Sequence, residues 1–296
     1  MLSDIVWHNG KFLPRNETGI AIDDGGWLHG AGLFETMRAE NGRIFRLDSH
    51  LERLCRSAQI LLRPIRLDEL PTREVFERLL AKNELEVARV RLTVSAGAML
   101  GDSAKNEQPI TVCITASPMA SPAAKANENG VHVVITQHRV SPTDPIAPHK
   151  TIAYLPRLIG LREAHRAQCM EALWFTTGNH LAEGSISNVF IVKGGLLKTP
   201  PLETPVLPGV TRAAVLELGG QLEIETQECP LLIDDLLDAD EVFLTNVIMQ
   251  IVPVIRVEKH DIADGRVGVL TTKLIEAFRE LVRKECSDIR KEYNGT

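Results

Sequence analysis

The sequence predicts two α/β lobes joined by a short linker, and three observations carry that expectation. Runs of alternating apolar residues interleave with runs of helical period on both sides of the chain's middle. Between the two halves, Ser117 to Gly130 (SPMASPAAKANENG) is proline, alanine and polar residues without periodicity. At 296 residues the chain can bury about two cores. The expected division is an N-terminal lobe at 1–117, a linker at 118–130 and a C-terminal lobe at 131–296. The cleft between the lobes is then the default place for a site.

The first lobe opens on Ile5-Val6-Trp7 and Lys11-Phe12-Leu13 around Asn9-Gly10, a hairpin signal. Ala21 to Gly32 is glycine-rich and contains His29; a plain loop is the simpler reading, a nucleotide loop the weaker one. Leu33 to Glu40, the turn Asn41-Gly42 and Arg43-Ile44-Phe45 form a second hairpin. Ser49 with Glu52 three residues on reads as a capping box. It opens a helix whose apolar residues Leu51, Leu54, Cys55, Ala58, Leu61 and Leu62 share one face. Arg53 lies within that helix and, taken alone, is a solvated arginine. A second helix covers about Thr72 to Lys82. Arg89 to Ser95 alternates cleanly, with Val90, Leu92 and Val94 on one face and Arg89, Arg91, Thr93 and Ser95 on the other. Pro109 to Ala116 is another strand.

In the second lobe Val131 to Thr136 reads as a strand, Ser141 to Lys150 as a proline-rich loop, Ile159 to Gln168 as a helix and Ala172 to Thr176 as a strand. Asn188 to Lys193 and Leu196 to Thr199 flank Gly194-Gly195, a third hairpin. Pro208-Gly209-Val210-Thr211-Arg212 leads into a helix that Gly219-Gly220 is expected to end. Strands follow at Gln221 to Thr226, Glu241 to Thr245 and Ile251 to Val257, and a closing helix at Thr271 to Lys284.

Composition excludes several function classes. With 44% apolar and 24% charged residues the chain reads as an ordinary soluble protein. A net charge of −6 and the lack of basic runs argue against nucleic acid. Asp4 and the shortness of the apolar runs argue against a signal peptide, and nothing approaches a membrane span. Five scattered cysteines without a C-x-x-C read as reduced thiols in the cytoplasm. Nine histidines without ligand spacing make a metal site unexpected.

Most chemistry is concentrated in Leu181 to Arg212. Glu183 stands among Ala182, Gly184 and Ser185, small residues that leave room for a ring beside a carboxylate. A glycine before a helix presents free backbone N–H groups to an anion, and Thr211 adds a hydroxyl. Glu183, Ser185, Asn188, Val189, Phe190, Leu197, Thr199, Leu207, Gly209, Val210 and Arg212 together resemble the signature of the class IV aminotransferases. Those are pyridoxal-phosphate enzymes of the two-lobed fold called fold type IV.

The resemblance implies a site. It places the lysine that links to pyridoxal 5'-phosphate at Lys150, in the C-terminal lobe, and puts Glu183 on the pyridine nitrogen. Val210, Thr211 and Val247 join the cofactor set, with Arg53, in Ser-His-Leu-Glu-Arg-Leu, as the phosphate-binding arginine. Tyr154 is expected to donate to the cofactor's phenolic oxygen. Arg38 and Arg91 match arginines of branched-chain enzymes and are the expected partners of the substrate carboxylate. A homodimer is implied as well.

Two elements bear on the reaction. Phe34-Glu35-Thr36-Met37-Arg38 has threonine where branched-chain enzymes carry glycine, and Thr245 to Val254 resembles the loop of aminodeoxychorismate lyases. The expectation is therefore a 4-amino-4-deoxychorismate lyase with Thr36 as proton donor. The alternative is an aminotransferase of branched-chain or D-amino acid type using 2-oxoglutarate. Ala96 departs from the arginine of D-amino acid enzymes and of many lyases, against both. A cofactor-free binding protein on the same scaffold would instead show no cofactor absorbance.

Overall fold

The computed structural model describes residues 4–98, 110–119 and 124–287. They divide into two compact units, but not as contiguous halves. The first holds residues 4–119, 149–153 and 281–287, the second 124–148 and 154–280. Lys150, expected in the C-terminal lobe, thus belongs to the first unit. The reason is main-chain pairing. Phe34 N donates to Lys150 O at 2.9 Å, Ile152 N donates to Gly32 O at 3.0 Å, and Thr151 bridges Leu33.

In the first unit, β1 (Ile5–His8), β2 (Lys11–Pro14), α1 (Gly25–His29), β3 (Gly32–Glu40), β4 (Arg43–Ile44), α2 (Leu47–Leu61), α3 (Arg73–Lys82), β5 (Ala88–Ser95) and β6 (Thr111–Pro118) follow in order. The strands make one antiparallel sheet in the order β2-β1-β6-β5-β3-β4. Alternation decides which residues face the helices. Leu33, Met37 and Ala39 of β3 join Val90, Leu92 and Val94 of β5. Together they meet Leu51, Leu54 and Ala58 of α2 and Phe76, Leu79 and Leu80 of α3. Phe34, Thr36 and Arg38 fall on the opposite face.

Two local expectations change here. The glycine-rich segment contains the short helix α1, because buried Asp24 accepts the N–H groups of Gly26 and Trp27. The capping box at Ser49 is not used. The chain passes from β4 through Arg46, at φ 50°, directly into α2, so the helix starts at Leu47, before Ser49 could cap it.

The second unit contains α4 (Ala124–Asn129), β7 (Val131–Val140), α5 (Leu155–Arg166), β8 (Glu171–Thr176), β9 (Leu181–Gly184), β10 (Asn188–Lys193), β11 (Leu196–Thr199), α6 (Val210–Gln221), β12 (Thr226–Glu228), α7 (Ile233–Leu237), β13 (Glu241–Asn246), β14 (Gln250–Val257) and β15 (His260–Asp261). α8 (Val269–Glu285) follows, its last residues grouped with the first unit. A mixed sheet runs β12-β11-β10-β13-β14-β7-β8-β9, with β15 beside β14. β7 and β8 are parallel, and α5 makes the crossover that parallel neighbours require. Val133, Leu173, Val189, Ile191, Val242, Leu244 and Val254 form the centre of its core.

The expected linker is partly helical: α4 occupies 124–129, while residues 120–123 lie outside the described ones. Gly219-Gly220 do not end α6. Gly219 is where β12 packs on the helix, with Thr226 Cγ2 only 2.6 Å from where a Cβ would stand. The helix therefore runs on to Gln221, and the strand expected at 221–226 is reduced to Thr226–Glu228. α5 starts four residues earlier than its periodicity suggested, with Pro156 in its first turn, where a missing N–H costs nothing.

Candidate active site

Each unit carries its own group of candidate functional side chains. In the first, the face of β3 and β5 turned away from the helices carries Phe34, Thr36, Arg38 and Arg91. Thr36 stands directly across from Arg91 in the sheet register. The Lys150 amine lies 4.5 Å from the centre of the Phe34 ring, and the Arg91 guanidinium lies 3.8 Å from the same centre. An amine held against an aromatic face is partly stripped of water, which suits a nucleophile. Arg91 also donates to Thr93 Oγ1 at 3.2 Å. Arg38 is 3% exposed and its guanidinium pairs with Glu40, Nε donating at 2.7 Å, so that cation is already answered within the strand.

Behind this face, on the helix side, Arg53 is not the solvated residue its helix suggested. It is buried, with Nε donating to Glu35 Oε1 at 2.8 Å and Nη2 to Glu35 Oε2 in a bidentate pair. His50 Nδ1 lies 2.8 Å from the same carboxylate. Burial opposes ionisation of Glu35, but the Arg53 charge and the hydrogen bonds outweigh it and hold the carboxyl at about 2. His50 moves below its usual range because burial disfavours the cation. The core-facing place of Glu35 on β3, opposite Leu92, was the signal available in sequence for this pair.

In the second unit Glu183, at the end of β9, is buried and richly bonded. Its Oε2 accepts from Leu207 N at 2.9 Å and from Asn188 Nδ2 at 3.3 Å, and its Oε1 accepts from Arg157 Nη2 at 2.6 Å. Arg157 was absent from the sequence-based set. The Tyr154 hydroxyl donates to the carbonyl of Ser185 at 3.0 Å. The tyrosine sits just before α5 and leans toward the turn after β9.

Gly209 is the N-cap of α6 and provides no side-chain acceptor to its first turn. A methyl at Gly209 would run into Asn188 Oδ1. Thr211 is buried, and its hydroxyl has no hydrogen-bond partner among the described residues, as is also true of Thr245. Uncapped N–H groups beside an orphan hydroxyl make a cradle for an anion. Val210 supplies the first helical position. Val247 lies in a tight turn after β13 whose Ile248 and Met249 N–H groups are taken by Asn246 Oδ1, at 3.0 and 2.8 Å. Among the described residues no group of three or more histidine, cysteine or acidic side chains could hold a metal, and no helix is long and apolar enough to cross a membrane.

A second carboxyl went unnoticed in the sequence. Glu171 on β8 is fully buried, with Oε1 accepting from Ile186 N at 2.6 Å and Ser187 Oγ at 3.0 Å. Its Oε2 has no partner among the described residues. Burial dominates and raises this acid to about 7.

The chain is similar to known proteins along most of its length. A profile of the family described as amino-transferase class IV matches residues 32–257. A candidate branched-chain-amino-acid aminotransferase of Methanocaldococcus jannaschii is 36% identical over 282 residues, covering 94% of this chain and 96% of its own. The branched-chain aminotransferase of the thermophilic archaeon Thermoproteus uzoniensis, solved with norvaline, superposes with a TM-score of 0.86 at 27% identity, covering 95% of each chain. A candidate 4-amino-4-deoxychorismate lyase from Legionella pneumophila gives 0.81 at 27% identity, over 90% of this chain and 97% of the other.

Proposed function

Because the chain belongs to the class IV aminotransferases and is a pyridoxal-phosphate enzyme of fold type IV, we propose that it is an amino acid aminotransferase of the branched-chain type. The observation that carries this over the lyase reading is the likeness to branched-chain enzymes along almost the whole chain, at 36% identity. The setting of Lys150 supports it. One amine, one apolar ring and the Arg91 cation are what an amino acid with a carboxylate and an apolar side chain requires. The lyase reading keeps one observation, the Asn246-capped turn at 246–249, in place of the small-residue turn of branched-chain enzymes.

The residues present fit the cofactor. The orphan hydroxyl of Thr211 and the uncapped start of α6 suit its phosphate, and Glu183 is a buried carboxylate suited to a ring nitrogen. We assign Arg53 to the phosphate too, and Val247 to the cofactor's surroundings. When bound, the cofactor supplies an electron sink for the pair released at the carbon bearing the amine.

Lys150 Nζ would hold the cofactor until the substrate amine takes its place; the freed Nζ is then the base for the proton on the carbon bearing that amine, and the acid that delivers the proton one position away. Arg91 holds the substrate carboxylate, whereas Arg38, paired with Glu40, orients the strand. Tyr154, with its proton on Ser185, fixes the turn beside Glu183. We propose a homodimer as well, for which Ile22 and Trp27, 86% and 73% exposed, offer apolar surface.

The test is to supply leucine, isoleucine or valine with 2-oxoglutarate, and separately aminodeoxychorismate. Glutamate in the first mixture and no 4-aminobenzoate in the second is the expected result. Formation of 4-aminobenzoate without amino transfer would return the protein to the lyases.

A further inference from the structure

Donors from α5, from β10 and from the segment before α6 converge on Glu183. Two of them, Leu207 N–H and Asn188 Nδ2, share Oε2. The third, Arg157, approaches Oε1 from the first turn of α5, and its side chain is only 14% exposed. The guanidinium is held over the Trp174 indole, 4.8 Å from the ring centre. Trp174 is fixed in turn by its Nε1–H to Ser185 Oγ at 2.9 Å and by the His138 ring stacked at 5.9 Å. A cation so braced has little freedom to wander from the carboxylate it pairs with.

We propose that Arg157 is a positioning residue for the cofactor. It locks the plane of the Glu183 carboxylate and places a permanent positive charge behind it. Glu183 then meets the ring nitrogen as a fixed acceptor. With Oε2 held by two donors and Oε1 by a third, the carboxylate cannot rotate without breaking a charge-assisted hydrogen bond. The inference rests on the role of Glu183 given above, not on the choice between amino transfer and lysis.

The charge also has an electrostatic effect. Glu171 on β8 acts electrostatically on both Glu183 and Arg157, and His138, paired with Glu163, stacks on the Trp174 that carries the guanidinium. Among them Arg157 is the cation in direct contact with Glu183. A cation disfavours protonation of every group near it, so its removal moves neighbouring titrations to higher pH.

The experiment uses holoenzyme and three variants, Arg157→Met, Arg157→Gln and Glu183→Gln. Read-outs are the pH titration of the bound cofactor's absorbance and the dissociation constant for pyridoxal phosphate re-added to stripped protein. Arg157→Met keeps an apolar stem on Trp174 and removes the charge. It should raise the midpoint of the spectral titration by about one pH unit and weaken cofactor binding roughly tenfold. Arg157→Gln, which restores one N–H donor without charge, should recover part of the affinity but not the midpoint. If Arg157→Met fails to fold, the midpoint in Arg157→Gln decides. An unchanged midpoint and affinity in the Arg157 variants, with both altered in Glu183→Gln, would overturn Arg157 alone. No change in any of the three would overturn the role of Glu183 as well.

Discussion

Replacing Glu171 by glutamine should make the protein more stable at alkaline pH than the wild type, relative to the difference between them in acid. Glu171 is buried to 0% exposure, and only one of its oxygens is hydrogen-bonded among the described residues. Its carboxyl is raised from 4.5 to about 7. The folded chain therefore binds this proton more tightly than the unfolded one. Below about pH 4.5 both states are protonated and nothing is lost. Between 4.5 and 7 the unfolded state ionises first, and stability falls. Above 7 the loss is complete. A tenfold difference in proton affinity is worth about 1.4 kcal/mol, so the total is about 3 kcal/mol.

Glutamine keeps an oxygen for the Ile186 and Ser187 donors and cannot ionise. Its amide N–H groups would lack partners where Oε2 now does, but that cost does not depend on pH. Urea unfolding followed by tryptophan fluorescence, at pH 5 and pH 8.5, isolates the titration, because other groups change alike in both proteins. The expected result is a wild type that loses about 2.5 kcal/mol more than Glu171→Gln across the interval, part of the loss being already complete at pH 5. Parallel curves, with the same difference at both pH values, would refute the reasoning.

Lys150→Ala should abolish turnover and the borohydride-fixable adduct; a labelled peptide carrying another lysine would reject the assignment. Arg53→Ala should do more than loosen the phosphate, because it strands the Glu35 carboxylate in the core. A loss of about 3–5 kcal/mol in the thermal stability of cofactor-free protein is expected, with cofactor affinity down roughly tenfold or more. Glu35, held at about 2, adds stability that is present above pH 4.5 and fades as the pH falls toward 2. Acid titration of stability should show that dependence in the wild type and not in Arg53→Ala. Thr36→Val should leave amino transfer from leucine within a few-fold; a loss of about 10²–10⁴ would restore Thr36 as a proton donor.

Much of this architecture was legible because one-sided burial writes itself into period. Met37 and Leu92 alternate with polar neighbours and land on the helix-covered face, as their spacing required. Lys150, Glu183 and Thr211 are singled out by a signature spread over many residues, and the roles given to them are part of the proposal. What escaped was set by tertiary partners. Arg53 looks like any helix arginine until Glu35 is seen across from it, and Ser49 looks like a cap until β4 is found to feed the helix two residues early. Arg157 and Glu171 belong to no local pattern; they matter because β8, β9 and α5 bring them to one carboxylate. For Tyr154 only the fold shows Ser185 O within reach of its hydroxyl. The chain divides otherwise than its composition suggests for the same reason, because Lys150, Thr151 and Ile152 pair with β3.

That pairing limits how the protein can be taken apart. A fragment ending near residue 119 contains every strand of the first sheet, yet it is not the first unit. It would leave Phe34 N–H and the Gly32 carbonyl without the partners that Lys150 and Ile152 provide. It would also lose the carbonyls of Cys286 and Ser287 that receive Asn41 and Arg43, and the Glu285 carboxylate that pairs with Arg46. Expressed alone, such a piece would present a frayed strand at the very place where Lys150 belongs, and it would be prone to self-association along that edge. Genetic dissection into an N-terminal half and a C-terminal half therefore cuts through a unit instead of between units. The lysine is delivered to its sheet late in synthesis, after about half the chain has been made.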